Sequence, residues 1–306
     1  MEPAELTSFI KQCALQDGFN YCGVAHAERL EKEGLQLKTW LQNNMHASMG
    51  YMENHFELRI DPENLWPGAK SMIVVAINYF PGKLEWGNQE FEVSRYALGT
   101  DYHDVLREKL SRLLKQIQEV EPEAAGRVCV DSAPVMEKIW AQKAGIGWQG
   151  KNSLLLTKNH GSYVFLGILI LNVELQYDVP ETDHCGNCFK CMVACPTHAI
   201  VTPGVIDSGK CISYHTIERK DNFENNTPKW EKWIFGCDIC QEVCPYNHEA
   251  ILTSEPDFLP RKDILQLNAD EWIQLDKLKY TKIFRKSPVK RAKLEGLKRN
   301  IEWVKQ

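Results

Sequence analysis

Cys185-Gly-Asn-Cys188-Phe-Lys-Cys191-Met-Val-Ala-Cys195-Pro196, then Cys211, then Cys237-Asp-Ile-Cys240-Gln-Glu-Val-Cys244-Pro245 is the stretch that decides the fold. It holds eight of the chain's eleven cysteines, and both runs end in Cys-Pro. The ligand spacing is that of a protein carrying two 4Fe–4S clusters. A cubane needs four thiolates converging on four irons. Cys-x-x-Cys-x-x-Cys wraps one tight loop around three of them, and the fourth cysteine of such a run reaches the other cluster. Cys185, Cys188, Cys191 and Cys244 are therefore assigned to one cluster, and Cys195, Cys211, Cys237 and Cys240 to the second. The second run is asymmetric, because Cys211 stands far upstream of Cys237. Zinc and disulfides are the competing readings. Zinc sites usually use four ligands in two Cys-x-x-Cys pairs, and disulfide frameworks belong to short secreted chains.

Working outward, the chain has 306 residues, 43% hydrophobic and 25% charged, with a formal net charge of −5. That length supports a real core and about two domains. No apolar run approaches the roughly 18 residues of a membrane span. The most apolar stretch, Tyr163–Val173, reads as a buried strand. The N-terminus, Met1-Glu-Pro-Ala-Glu, is acidic and shows no secretory or twin-arginine pattern, so a cytoplasmic protein without a membrane partner is expected. The net charge does not announce a nucleic-acid binder.

Glu2 to Gln16 reads as a helix ended by Gly18, Phe19–Ala25 as a strand, and Glu28 to about Met45 as a second helix. Ser71–Tyr79 is a strongly apolar strand. Asp101–Val120 is the clearest helix, with Leu106, Leu110, Leu113, Leu114 and Ile117 on one face and Thr100 or Asp101 able to cap it. Arg127–Asp131 reads as a strand and Val135–Ala144 as a helix. Ser153–Thr157 and Tyr163–Val173 look like paired strands around Asn159-His-Gly161. The fold class expected is mixed α+β or α/β: a domain over residues 1–175 with about five strands and four helices, a ferredoxin-like two-cluster domain over 176–257, and a helical, basic segment over 258–306.

Three features of the first domain carry chemical interest. Gly145-Ile-Gly147-Trp-Gln-Gly150-Lys151-Asn152 matches a dinucleotide or phosphate loop by letter. Those loops follow a strand and open a helix, whereas here a helix precedes and a strand follows. A glycine turn that brings backbone close to a large ligand fits better. Asp131-Ser-Ala-Pro134 places an aspartate at a strand end before a helix. That is ordinarily an N-cap; the functional alternative is a general acid. Arg59-Ile-Asp-Pro62, Ser94-Arg95-Tyr96 and Asp101-Tyr-His-Asp104 are, singly, ordinary loop or capping chemistry.

Together these segments resemble the epoxyqueuosine reductase family. The matching stretches are Arg59-x-Asp-Pro62, Asp101-Tyr-His-Asp-Val-Leu-Arg107, Asp131-Ser-Ala-Pro134, Ala144-Gly-Ile-Gly147, Gly150-Lys-Asn152 and Gly161-Ser-Tyr163. Asp183-His-Cys185, Cys211-Ile-Ser213-Tyr and Gly236-Cys237-Asp238 follow in the same order, and the likeness covers about residues 1 to 300. The resemblance implies a cobalamin- and iron–sulfur-dependent oxidoreductase that converts epoxyqueuosine to queuosine in the anticodon of tRNA. It implies that the first domain binds the corrin and that the clusters feed it electrons from an external donor of the flavodoxin or ferredoxin type. It gives Asp131 the role of catalytic acid, with a raised pKa expected from burial. It places Arg59, Ser94, Asp131, Asn152, Leu155, Leu166, Ser213 and Asp238 at the corrin, although Leu155 and Leu166 read equally well as strand core.

Many members of that family carry a helical repeat domain after the cluster domain. Here Lys279–Gln306 stands in that place, with Lys279, Lys282, Arg285, Lys286, Lys290, Arg291, Lys293, Lys298, Arg299 and Lys305. A charge run is usually a solvated face. Beside a tRNA substrate, and with Tyr280, Phe284 and Trp303 nearby, it reads as a phosphate-binding arm, to which Arg219 and Lys220 add. His103 is assigned to capping or solvent, and Cys13, Cys22 and Cys129 to the core. A monomer is expected. The alternatives are a cobalamin-dependent reductase of a small molecule and a ferredoxin-type electron carrier.

Overall fold

Ser71–Asn78 reads Ser-Met-Ile-Val-Val-Ala-Ile-Asn, apolar on both faces, and it forms a central strand buried at all eight positions. In the computed structural model, which describes residues 1–306, the first half of the chain runs α1 (Pro3–Gln16), β1 (Tyr21–His26), α2 (Glu31–Gln42), α3 (Phe56–Ile60), α4 (Pro62–Leu65) and β2 (Ser71–Asn78). It continues through β3 (Glu92–Val93), α5 (Tyr102–Val120), β4 (Gly126–Cys129), α6 (Glu137–Lys143), β5 (Trp148–Gln149), β6 (Leu155–Leu156) and β7 (Val164–Leu171). Four strands make one sheet in the order β1-β2-β7-β4, with every pair antiparallel. The antiparallel order is the α+β form of the expected mixed class.

The period-2 alternation of β2 distributes its side chains to two cores. Ile73, Val75 and Ile77 meet Leu6 and Ile10 of α1 and Leu106, Leu110, Leu113 and Ile117 of α5. Met72, Val74 and Ala76 face Trp140 and Ala141 of α6, with Leu30, Ile60 and Leu65. Each fully buried Leu or Ile contributes roughly 1.5–3 kcal/mol, so these two layers fix the sheet on which the site is built. Gly167 is required where α5 crosses β7, because a Cβ there would stand 2.8 Å from Leu110 Cδ1.

Two sequence expectations are corrected. Ser153–Thr157 does not pair with the strand after it. β6 pairs instead with β5, and only an isolated bridge joins Thr157 to Gly161. Trp148 and Leu156 are thereby buried against Cys244, which ties the glycine turn to the cluster loops. The strand expected to reach Asp131 stops at Cys129, because Asp131 has φ +54°, a left-handed conformation incompatible with strand continuation.

The second half contains α7 (Lys190–Ala194), β8 (Ile200–Thr202), β9 (Val205–Ile206), β10 (Trp233–Phe235) and α8 (Ile239–Glu242), then α9 (Lys262–Leu265), α10 (Ala269–Ile273), α11 (Lys277–Phe284) and α12 (Lys293–Val304). β10 pairs in parallel with β3. Around that pair a third core gathers Phe91, Val93 and Leu98, Ile234 and Phe235, and Trp272, Phe284, Val289 and Ile301. The C-terminal helices are thus part of the fold. Asn300, fully buried, donates from Nδ2 to Thr216 O and Ile234 O, both at 2.8 Å. No helix is long and apolar enough to cross a membrane.

Candidate functional site: two cysteine groups and an acid cleft

All eleven cysteines are free. Burial pushes the Cys244 thiol up, and the charges of Cys185, Cys191 and Cys188 add to it. These four therefore lie together, although Cys244 is far from the others in sequence. Burial also raises Cys240, followed by the charges of Cys211, Asp238, Cys191 and Cys195, and Cys237 feels Cys240 and Cys211. That is the second group. Cys191 of the first group neighbours Cys240 of the second, so the two groups are adjacent. No three His, Cys, Asp or Glu side chains are placed to hold a single metal ion; four thiolates around a cubane stand wider than four around one zinc, because each binds its own iron. Two groups of four thiols, held by loops, fit two cubanes, and ligation would remove the protons that burial now favours.

The loops of the second group are anchored by buried polar pairs. Asp238 is fully buried. Its carboxylate accepts from Ser94 Oγ, from Arg95 N at 2.8 Å, from Arg95 Nη1 at 3.2 Å and from Gln241 Nε2 at 3.1 Å. The Ser94 and Asp238 side chains are therefore engaged with each other, and what they can offer a corrin is backbone. Gly236, with φ +72°, lies where a Cβ would overlap Ser94. Ser213, two residues after Cys211, accepts at its carbonyl from Thr216 Oγ1 at 3.4 Å. Asn152 is buried, with Nδ2 3.4 Å from Cys240 O. Leu155 and Leu166 are buried in the core shared with Ile168 and Trp140. Arg59 donates from Nη2 to Tyr51 O at 2.9 Å, while its Nε is buried without a partner. An orphaned guanidinium donor at a cleft suits a polar group on a bound cofactor, so the residues present fit a corrin edge here.

Asp131 lies near enough to Tyr51, whose carbonyl accepts from Arg59, for its charge to act on the Tyr51 phenol. Its side chain is 56% exposed, yet desolvation is the largest influence on its pKa, as expected of a group in a walled cleft. His103 Nε2 lies 3.0 Å from Asp131 Oδ2, and His103 Nδ1 lies 2.6 Å from Asp101 Oδ1. Burial alone would lower the His103 pKa, but Asp101 and Asp131 outweigh it and lift it to about 9. His103 is thus an imidazolium at neutral pH, donating to both aspartates. In turn Asp131 is corrected from the sequence expectation. Burial raises it, but His103, Tyr102 and Arg291 together hold its carboxyl below the usual aspartate value. The raised carboxyl is Glu137, pushed up to about 8 by burial and then by the Asp131 charge. Glu137 Oε1 accepts from Asp131 N at 2.7 Å. Next to it, Lys138 donates to Ser153 O at 2.8 Å and feels Glu137, Asp131 and Cys240. Asp131 and Cys240 thus both lie near enough to Lys138 for their charges to act on it.

The C-terminal cations differ from the expected free arm. Lys279 pairs with Glu271, Lys290 with Asp101 and Arg291 with Glu218. Arg299 donates to the carbonyls of Arg219, Asp221 and His215. Phe284 and Trp303 are buried and cannot act as stacking platforms. Lys282, Arg285, Lys286 and Lys293 remain on the surface.

Residues 59–132 match the family model described as epoxyqueuosine reductase QueG, DUF1730, and residues 184–247 match the 4Fe-4S double cluster binding domain. An epoxyqueuosine reductase of Cellulophaga algicola is 47% identical over 300 residues, covering 98% of each chain. The chain belongs to the epoxyqueuosine reductase family. The family's Escherichia coli member is 40% identical over 302 residues, covering 95% of this chain and 79% of its own. Among solved epoxyqueuosine reductases, one in complex with an epoxyqueuosine-modified tRNA-Tyr stem loop has a TM-score of 0.88 at 27% identity, covering 98% of this chain and 80% of its own. That of Bacillus subtilis, with its catalytic aspartate loop swung out of the active site, has a TM-score of 0.89 at 26% identity, covering 98% of this chain and 81% of its own.

Sequence reading missed His103, Glu137, Tyr51 and Arg291 as parts of this cleft. One signal was present for His103. Asp101 caps α5 by accepting from His103 N, and the same Asp-x-His spacing returns the imidazole to that carboxylate. Glu137 had a weaker signal, an acid in the first turn of α6. Tyr51 and Arg291 had none, because their approach to Asp131 is long-range.

Proposed function

We propose that this chain reduces the epoxide of epoxyqueuosine at the wobble position of tRNA, giving queuosine. The reaction adds two electrons and two protons, removes the epoxide oxygen as water and leaves a carbon–carbon double bond. Cys185, Cys188, Cys191 and Cys244 hold one 4Fe–4S cluster, and Cys195, Cys211, Cys237 and Cys240 the other. Cobalamin, when bound, accumulates the electrons that the clusters deliver singly. Arg59, Asn152, Ser213 and the backbone at Ser94 and Asp238 border it, with Leu155 and Leu166 behind.

The observation that carries the reading is Asp131 held at 3.0 Å by a charged His103, with its charge and that of Cys240 both acting on Lys138. The proton is carried by His103, and the ionised Asp131 takes it from Nε2 and passes it to the departing oxygen, leaving His103 neutral until solvent reprotonates it. The exposed Lys282, Arg285, Lys286 and Lys293 contact tRNA phosphates. An external flavodoxin- or ferredoxin-type donor meets the surface loop of the first cluster, where Phe189 and Val193 are exposed. The protein acts in the cytoplasm as a monomer, with residues 1–175 as the corrin domain, 176–257 as the cluster domain and 258–306 as the basic segment. The test is Asp131→Asn with both clusters and cobalamin loaded. The expected loss in turnover is on the order of 100-fold or more; a normal rate would remove Asp131 from the mechanism.

A further inference from the structure

The segment Lys286–Ala292 folds back onto the start of α5, and its backbone is fixed there independently of its charges. Asp101 N donates to Lys286 O at 2.8 Å. Ser287, fully buried, donates to Ala97 O at 3.2 Å, and Val289 is buried in the third core. From this seat Lys290 reaches Asp101 Oδ2 at 2.6 Å, with the Asp101 side chain only 4% exposed. The other oxygen of the same carboxylate takes His103, and His103 takes Asp131. Four charged groups thus form one chain: Lys290, Asp101, His103 and Asp131.

We propose that Lys290 is a positioning residue for the catalytic acid: through Asp101 and His103 it fixes where Asp131 stands and balances the charge under which His103 releases its proton. This rests on Asp131 being the acid, as proposed above. The Asp131 backbone is in the left-handed region and its loop has no regular structure, so its placement depends on side-chain tethers. These are His103 on one side and Glu137 on the backbone N–H. With Lys290 present the chain of four is neutral. Without it the net charge is −1, and both carboxylates bear on His103 uncompensated. The imidazolium then keeps its proton more firmly and becomes a poorer donor. Other groups facing His103 are Tyr102, stacked at 4.1 Å, and Glu137; Arg291 acts through Asp131.

The test is a titration of His103 by histidine-labelled NMR in the cluster-loaded full chain, assigned with His103→Gln. It is run on wild type, Lys290→Met and Lys290→Arg, with iron content as the check on folding. Lys290→Met keeps the apolar stem and removes the charge. The His103 midpoint is expected to rise by about 0.5–1 pH unit in Lys290→Met, allowing for screening at a half-exposed ammonium, and to stay in place in Lys290→Arg. Single turnover of a modified stem loop is expected to slow about tenfold in Lys290→Met and to recover in Lys290→Arg. An unmoved or lowered His103 midpoint in Lys290→Met overturns the proposal, as does failure of Lys290→Arg to restore both readouts. Absence of turnover in wild type would instead remove the functional reading, and the titration would still decide whether Lys290 sets His103.

Discussion

Glu137→Gln isolates a protonation that the fold imposes. Glu137 Oε1 accepts from Asp131 N at 2.7 Å, and Gln retains an acceptor of the same reach. The Glu137 pKa is raised from 4.5 to about 8. A carboxyl raised on folding is most favourable while protonated in both states, below about pH 4.5. As pH rises, the unfolded chain ionises first, and stability falls until the folded group also ionises near pH 8. At about 1.4 kcal/mol per pH unit the full shift is worth roughly 5 kcal/mol. Partial exposure reduces this, and about 2–3 kcal/mol is a fair expectation. Gln carries no such penalty. Scanning calorimetry of cluster-loaded wild type and Glu137→Gln should show similar midpoints near pH 5. At pH 8.5 the variant should be higher by about 3–5 °C. A gap that does not grow with pH, or a variant less stable at pH 8.5, would refute the assignment of Glu137 as the raised carboxyl.

Cys195→Ala should lose the same cluster as Cys211→Ala, while Cys244→Ala should lose the same cluster as Cys185→Ala; electron paramagnetic resonance of the reduced variants separates these from a sequential grouping. Arg95→Ala leaves Asp238 with one fewer cationic partner in a buried site, which should cost about 3 kcal/mol. Because Asp238 adjoins Cys237, the second cluster should become labile, read as faster iron loss to a chelator than in Arg95→Lys.

The double-cluster domain was legible because thiolate spacing is local geometry, and residues 184–247 match such a domain; which cysteine serves which cluster is the proposal that the variants above test. The helix over Tyr102–Val120 was legible because its apolar face repeats with the helical period. The β5–β6 pairing was not, since two-residue strands carry no periodicity, and Tyr163–Val173 offered a more apolar partner. The basic C-terminal run misled for a related reason: Lys290, Arg291 and Arg299 look solvated in sequence, but their partners Asp101, Glu218 and the Arg219 carbonyl lie far upstream. The depressed Asp131 pKa was out of reach as well, because burial and His103 act in opposite directions and only distances decide which prevails.

The most direct measurement is anaerobic turnover. The cluster-reconstituted protein is given epoxyqueuosine-bearing tRNA and a low-potential reductant, with and without cobalamin, and the digested nucleosides are weighed by mass spectrometry. Loss of the mass of one oxygen, only when cobalamin is present, is the expected result. A protein that holds both clusters and cobalamin yet leaves the epoxide intact would contradict the account and favour a small-molecule substrate.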